Sequence, residues 1–275
     1  MWHMRNVPLL VLLLTTPVLH PAGATTFDCV INPSVRLKIG SPISTTLRSI
    51  EVERGDRVTA GQVIARLEAA VERADVALGA ERAANTADMS SRAARVDFAR
   101  LEAERGEKLL VDNNASRQKV EELRTQLRVA QGDMQIAMLN HHLAELDLAR
   151  SRAQEELRVI RSPIDGVVVQ RYLGPGEFVH QDAQIAEVAT IDPLFVEAYP
   201  SARYFAAIKV GAVAEVKPDL AGEAARPAVI TIVDPVFDAA SGTFGVRLRL
   251  PNPGEALPAG LRCQVSIDTG EAVVR

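Results

Sequence analysis

The chain has 275 residues, with 31 basic and 35 acidic side chains, a formal charge of −4 and only 4% aromatic residues. That near-balance excludes the basic footprint a nucleic-acid binder needs. The scarcity of aromatics argues against one large core, and the length allows more than one domain.

The first 24 residues read as an export signal. Arg5 supplies a positive start, Val7 to Leu14 an apolar stretch, and Ala22-Gly23-Ala24 a small-x-small cleavage pattern. Cleavage near Ala24 is expected. The apolar stretch falls far short of a membrane span, and no later one is long enough to cross a bilayer. Thr26-Phe27-Asp28 before Cys29 lacks the Leu and small residues of a lipoprotein signal.

A short pattern then occurs twice. Ser41-Pro42-Ile43 returns as Ser162-Pro163-Ile164, and the copies align without a gap at an offset of 121. Gly55 falls on Gly176, Val58 on Val179, Ile64-Ala65 on Ile185-Ala186, Asp56 on Glu177 and Leu67 on Val188. Each copy reads as short strands with a Gly turn. A repeat of this kind means two halves of one small β unit, separated in sequence and rejoined by packing.

Between the copies lies a stretch without proline, rich in Ala, Arg, Glu, Leu and Gln, all strong helix formers. Asp112-Asn113-Asn114-Ala115-Ser116 interrupts it with turn and N-cap chemistry. The spacing predicts helix one over 69–111 and helix two over 116–157, lying antiparallel. Val120, Leu123, Leu127, Ala130 and Met134 form a seam. A second stripe, Ile136, Leu139, Leu143, Leu146, Ala149 and Ala153, is expected to continue it to Leu157.

After the second copy, short apolar runs alternate with Gly and Pro turns from Leu194 to Ile267. They predict a small antiparallel barrel, with a short helix near Tyr204 to Ile208. The expected organisation is signal 1–24, N-terminal strand and first half-module 25–68, helical hairpin 69–158, second half-module 159–192, barrel 193–270 and tail 271–275.

Few residues point to chemistry. Met134, Met138, His141 and His142 share two turns of helix two and have donor types suited to a soft ion. A seam methionine with solvent-facing imidazoles is the simpler reading. His180 has no Ser or Cys partner in a catalytic pattern, and Gly174-Pro175-Gly176 is a turn rather than a phosphate loop. No catalytic constellation, resident metal or cofactor is expected. Cys29 and Cys263 are the only cysteines. An oxidising compartment allows a disulfide between them; two separate thiols, one a small core residue, is the alternative.

With the hairpin removed, the two copies resemble the biotinyl/lipoyl carrier fold, yet no lysine stands at the junction, so carrier function is not expected. The fold class is α+β, elongated and multidomain: a lipoyl/biotinyl-like β sandwich split by a long antiparallel α-helical hairpin, then a small antiparallel β-barrel. Together with the export signal, this resembles the periplasmic adaptors, or membrane fusion proteins, of the HlyD-like family that serve Gram-negative efflux pumps. The resemblance rests on Val52 to Gln62, Arg161 to Val168, Leu250-Pro251-Asn252-Pro253 and Leu257-Pro258-Ala259-Gly260-Leu261. It implies a non-catalytic adaptor in the periplasm, held at the inner membrane through its partner. The implied partners are an inner-membrane transporter, of the resistance–nodulation–division type rather than the ABC type, and a TolC-type outer-membrane channel, with six copies in a ring. Arg105, Leu109 and Ser116 match the spacing with which such adaptors dock on the channel. The fourth, membrane-proximal domain of many such adaptors is expected to be absent or vestigial. Thr45 stands where the second copy has Gly166, so that turn is expected to differ. An exported coiled-coil interaction protein, outside any pump, is the alternative.

Overall fold

The computed structural model describes residues 23–270. The export-signal reading falls chiefly on residues 1–22 and the tail on 271–275, outside the described residues. In chain order the elements are β1 (Ala24–Gly40), β2 (Thr45–Ile50), β3 (Arg57–Val58), β4 (Val63–Leu67), α1 (Ala70–Ala84), α2 (Ala87–Val111), α3 (Arg117–Glu156), β5 (Val159–Arg161), β6 (Gly166–Arg171), β7 (Phe178–Val179), β8 (Gln184–Ala198), β9 (Val213–Pro218), β10 (Arg226–Asp238), β11 (Thr243–Leu250) and β12 (Leu261–Asp268). Two compact units result, one of residues 36–189 and one of residues 23–35 with 190–270.

In the first unit the repeat becomes geometry. Adding the offset of 121 carries β2 onto β6, β3 onto β7 and β4 onto the start of β8. The pairings follow. β3 pairs with β6 through Arg57 on Val167 and Val58 on Gly166; β7 pairs with β2 through Phe178 on Thr46 and Val179 on Thr45. Each copy thus lends a strand to the other. Even the register shift repeats: Leu47–Leu67 then Ser49–Arg66 in one copy, Val168–Val188 then Gln170–Glu187 in the other. Thr45 opens β2 as Gly166 opens β6, so the expected difference at that turn is not seen. Gly55 and Gly176 have φ of +96° and +86°, a region that side chains disfavour, which is why both copies keep glycine there. Leu47, Val58, Ile64, Val168, Val179 and Ile185 form the shared core. Ser41 and Ser162, both buried, donate equivalent hydrogen bonds to the carbonyls of Ile43 (2.5 Å) and Ile164 (2.6 Å).

The hairpin differs from expectation in two ways. Helix one is not continuous over 69–111; it breaks at Asn85-Thr86 into α1 and α2, with Asn85 extended at ψ 103° and its Oδ1 accepting from the Ala87 N–H at 3.1 Å. Asn and Thr are poor helix formers, and this side-chain bond competes with the helical one. Opposite, α3 runs unbroken for 40 residues, about 60 Å. The second apolar stripe does not line the seam either. Ile136, Leu139, Leu143 and Leu146 are exposed, while the buried line of α3 passes through Val120, Leu123 and Ala137. The reason is phase: the step from Met134 to Ile136 moves the stripe about 200° around the helix. At two points the opposite arm carries only glycine and α3 comes close. A Cβ on Gly79 would lie 3.3 Å from the Leu148 Cα, and one on Gly106 only 2.6 Å from Leu123 Cδ1.

In the other unit the strand order is β1-β12-β9-β10-β11-β8; β1 and β8 also pair with each other, and both strands run on into the first unit. Leu194, Val196, Phe244, Leu248, Val265 and Ile267 fill its interior. The short helix expected over 204–208 is a single 3-10 turn, Ala202–Tyr204. Among the described residues no helix is long and apolar enough to cross a membrane.

Candidate functional site

The hairpin tip is built by the end of α2, a tight turn and the start of α3. Helix α2 stops because Asn113 adopts φ +59° and the Asn114 N–H turns back to the Leu109 carbonyl at 2.7 Å. Asn tolerates this left-handed conformation better than most residues. Helix α3 restarts at Ser116, whose backbone is extended and whose Oγ accepts the Lys119 N–H at 3.2 Å. Ser116 is therefore an N-cap, a role worth about 1 kcal/mol. Gly106 over Leu123, with Ala103 and Val120 buried beside them, draws the two helices together just below the turn.

Three predicted residues surround this turn. Arg105 and Leu109 lie one helical turn apart on α2, and Ser116 lies across the turn. The Arg105 guanidinium is exposed and donates to Glu102 at 2.7 Å. Leu109 is 46% exposed. The sequence reading missed Val111, the last residue of α2, which at 81% is the most exposed large apolar residue among the described residues. Its signal was legible: an apolar residue directly before Asp112-Asn113-Asn114 has no seam left to face. Leu109 and Val111 lie about 200° apart around α2, so the tip exposes two separate apolar side chains among polar groups.

The remaining candidates separate. Cys29 and Cys263 face each other across β1 and β12 and are joined by a disulfide, with Cα atoms 4.9 Å apart. Met134 and His141 are partly buried, whereas Met138 and His142 are exposed; both imidazoles lean toward Glu145, at 3.7 Å and 3.4 Å. Among the described residues no cluster of three His, Cys, Asp or Glu side chains is placed to hold a metal. His180 packs edge-on against Phe178. One further polar group was not foreseen: buried Glu187 accepts from the Tyr172 hydroxyl at 2.7 Å and pairs with Arg36 at 2.9 Å.

A sandwich whose halves exchange strands around a helical insertion defines the class, a barrel-sandwich hybrid. A family model described as the CzcB-like barrel-sandwich hybrid domain matches residues 36–190, more than half of the chain. The chain belongs to that family, which bears out its resemblance to the membrane fusion proteins of efflux systems. Among curated relatives, the cobalt-zinc-cadmium resistance protein CzcB of Cupriavidus metallidurans is 22% identical over 225 residues, 82% of this chain and 41% of the relative. The nickel-cobalt-cadmium resistance protein NccB of Alcaligenes xylosoxydans xylosoxydans is 29% identical, over 79% of this chain and 55% of the relative. The chain thus spans about half the length of the curated relatives it matches. The solved structure of MacA from Actinobacillus actinomycetemcomitans superposes with a TM-score of 0.74 at 19% identity, covering 90% of this chain and 79% of that one. The membrane fusion protein Spr0693 from Streptococcus pneumoniae R6 gives 0.56 at 12% identity, covering 88% and 97%. At these identities the likeness is one of fold.

Proposed function

We propose that the chain is a non-catalytic periplasmic adaptor that bridges an inner-membrane transporter of the resistance–nodulation–division type and a TolC-type outer-membrane channel. The observation that carries this reading is the tip, where Leu109 and Val111 leave large apolar surface at the far end of the hairpin. Their place beside the turn, with Arg105 one helical turn before Leu109, supports a contact with a partner there. In this reading Leu109 enters an apolar gap at the channel's helix ends, Arg105 bonds polar groups beside it, and Ser116 keeps the turn in shape. The unit of residues 190–270, read as a small barrel, faces the transporter, and six copies form a ring. Residues 1–24 direct export to the periplasm. Relatives named for resistance to cobalt, zinc, nickel and cadmium support divalent transition-metal cations as cargo.

The test is Leu109→Asp in a strain that depends on the pump. Export is expected to fall at least about tenfold, the 1.4 kcal/mol or more that a buried unpaired carboxylate costs a docking contact. Circular dichroism should not change, because Leu109 is exposed on α2 and lies outside both buried cores. Undiminished export from a folded variant rules out docking through this tip.

A further inference from the structure

The outward stripe of α3 has the spacing of a second coiled-coil seam, and its Val129 end also borders Arg92 and Arg95 of α2. Val129, Gly132, Ile136, Leu139, Leu143 and Leu146 follow one another at steps of three and four, the spacing of heptad core positions. The five large side chains are each 50–60% exposed. Six residues of this face, Val129, Gly132, Asp133, Gln135, Ile136 and Leu139, line a shallow groove of about 510 Å³. At its centre Gly132 leaves a gap, since a Cβ there would meet nothing within 4 Å.

We propose that this face binds a second copy of the chain, with the two α3 helices antiparallel about a two-fold axis between Ala137 and Met138. In that order every facing pair contains at least one large side chain. Val129 meets Leu146 of the second copy, Ile136 meets Leu139, and Leu143 fills the gap at Gly132. A parallel pair would stack Gly132 on Gly132 and leave the gap open. The flanks agree. Antiparallel order sets Asp133, which also pairs with Arg92 of its own chain, beside Asn140, Gln126 beside Asp147 and Gln135 beside His142, and no like charges oppose in these pairs. A two-fold contact requires this kind of self-match, because one patch serves both partners.

The side-by-side alternative lacks a complementary surface. Contacts of Gly79 with Leu148 and of Arg92 with Asp133 place the stripe level with the stretch from α1's last turn to mid-α2. Between Leu78 and Phe98 that stretch exposes no large apolar side chain. The proposed axis also lies within a residue of the midpoint of α3, so the paired hairpins overlap along their length with tips at opposite ends. The pair is therefore a separate state from any assembly whose tips point one way, and it stands whether or not the tip docks on a channel.

Sedimentation equilibrium of the full chain tests the association. A concentration-dependent dimer is expected. Leu139→Glu, which sets two unpaired carboxylates at the axis, should weaken it at least about 100-fold. The variant's helix content should not change, because Leu139 is exposed in the single chain. Orientation is read by mixing a Gly132→Cys chain with a Leu143→Cys chain and adding a short bismaleimide. A cross-linked heterodimer is expected; in a parallel pair the two thiols stand about 16 Å apart along the axis and do not link. A monomer at all concentrations, a dimer indifferent to Leu139→Glu, or no link between the mixed chains overturns the proposal.

Discussion

Tyr172 shows how a single group can tie stability to pH. Its hydrogen bond to the Glu187 carboxylate holds the phenol above its ordinary value; burial and the Glu187 charge add to this, and Arg36 opposes it. The folded state therefore keeps the proton that the unfolded chain releases. The stabilisation is complete below the ordinary tyrosine value of about 10 and is lost as pH rises through the higher folded value. Tyr172→Phe is expected to lower stability at pH 8 and to flatten the alkaline decline, measured by urea unfolding from pH 8 to 11. An identical decline in the variant would assign it to other groups. Glu187 shows what one sequence conceals. Its counterpart in the first copy is Arg66, on the solvent side, so the repeat gave no sign that a carboxylate would be buried here.

At the scale of elements, the hairpin has one rigid arm and one jointed arm. The joint at Asn85-Thr86 lies opposite unbroken α3, so local opening should begin there. Replacing both residues with Ala gains about 1.3 kcal/mol of helix propensity. Amide exchange over residues 84–90 is expected to be fastest within the hairpin and to slow about tenfold in the double variant. Equal rates in both chains would show that the joint is held by packing instead. The joint was legible in principle, since Asn85-Thr86 carries the same chemistry that revealed the turn at 112–116. The β repeat was legible because glycines with positive φ and alternating buried residues must recur wherever the same half-fold recurs. The direction of the α3 stripes was not. Two apolar stripes on one helix look alike in sequence, and only the close approach at Gly79 and Gly106 shows which side has a neighbour. The residues at the tip could be recognised, but Ser116 reads equally as a contact or a cap until its Oγ is seen to accept the Lys119 N–H.

At the scale of the whole molecule, the disulfide acts on one unit. Cys29 and Cys263 are 234 residues apart in sequence and join the first and last strands of the unit that contains them. A cross-link closing so long a loop contributes about 2–5 kcal/mol. Reduction is expected to expose residues 190–270 to protease at lower urea, while the helical signal of the hairpin holds. Loss of both together would mean that the two units unfold as one. The repeat has its own implication for how such chains diversify. Leu67 leads into the hairpin, and its counterpart Val188 leads toward the other unit; the hairpin returns through β5, whose counterpart is the end of β1. Both appendages therefore leave a doubled module at equivalent sockets. An insert of another length would join the module at either place by matching two paired strands, β4 with β5 in one copy and β8 with β1 in the other.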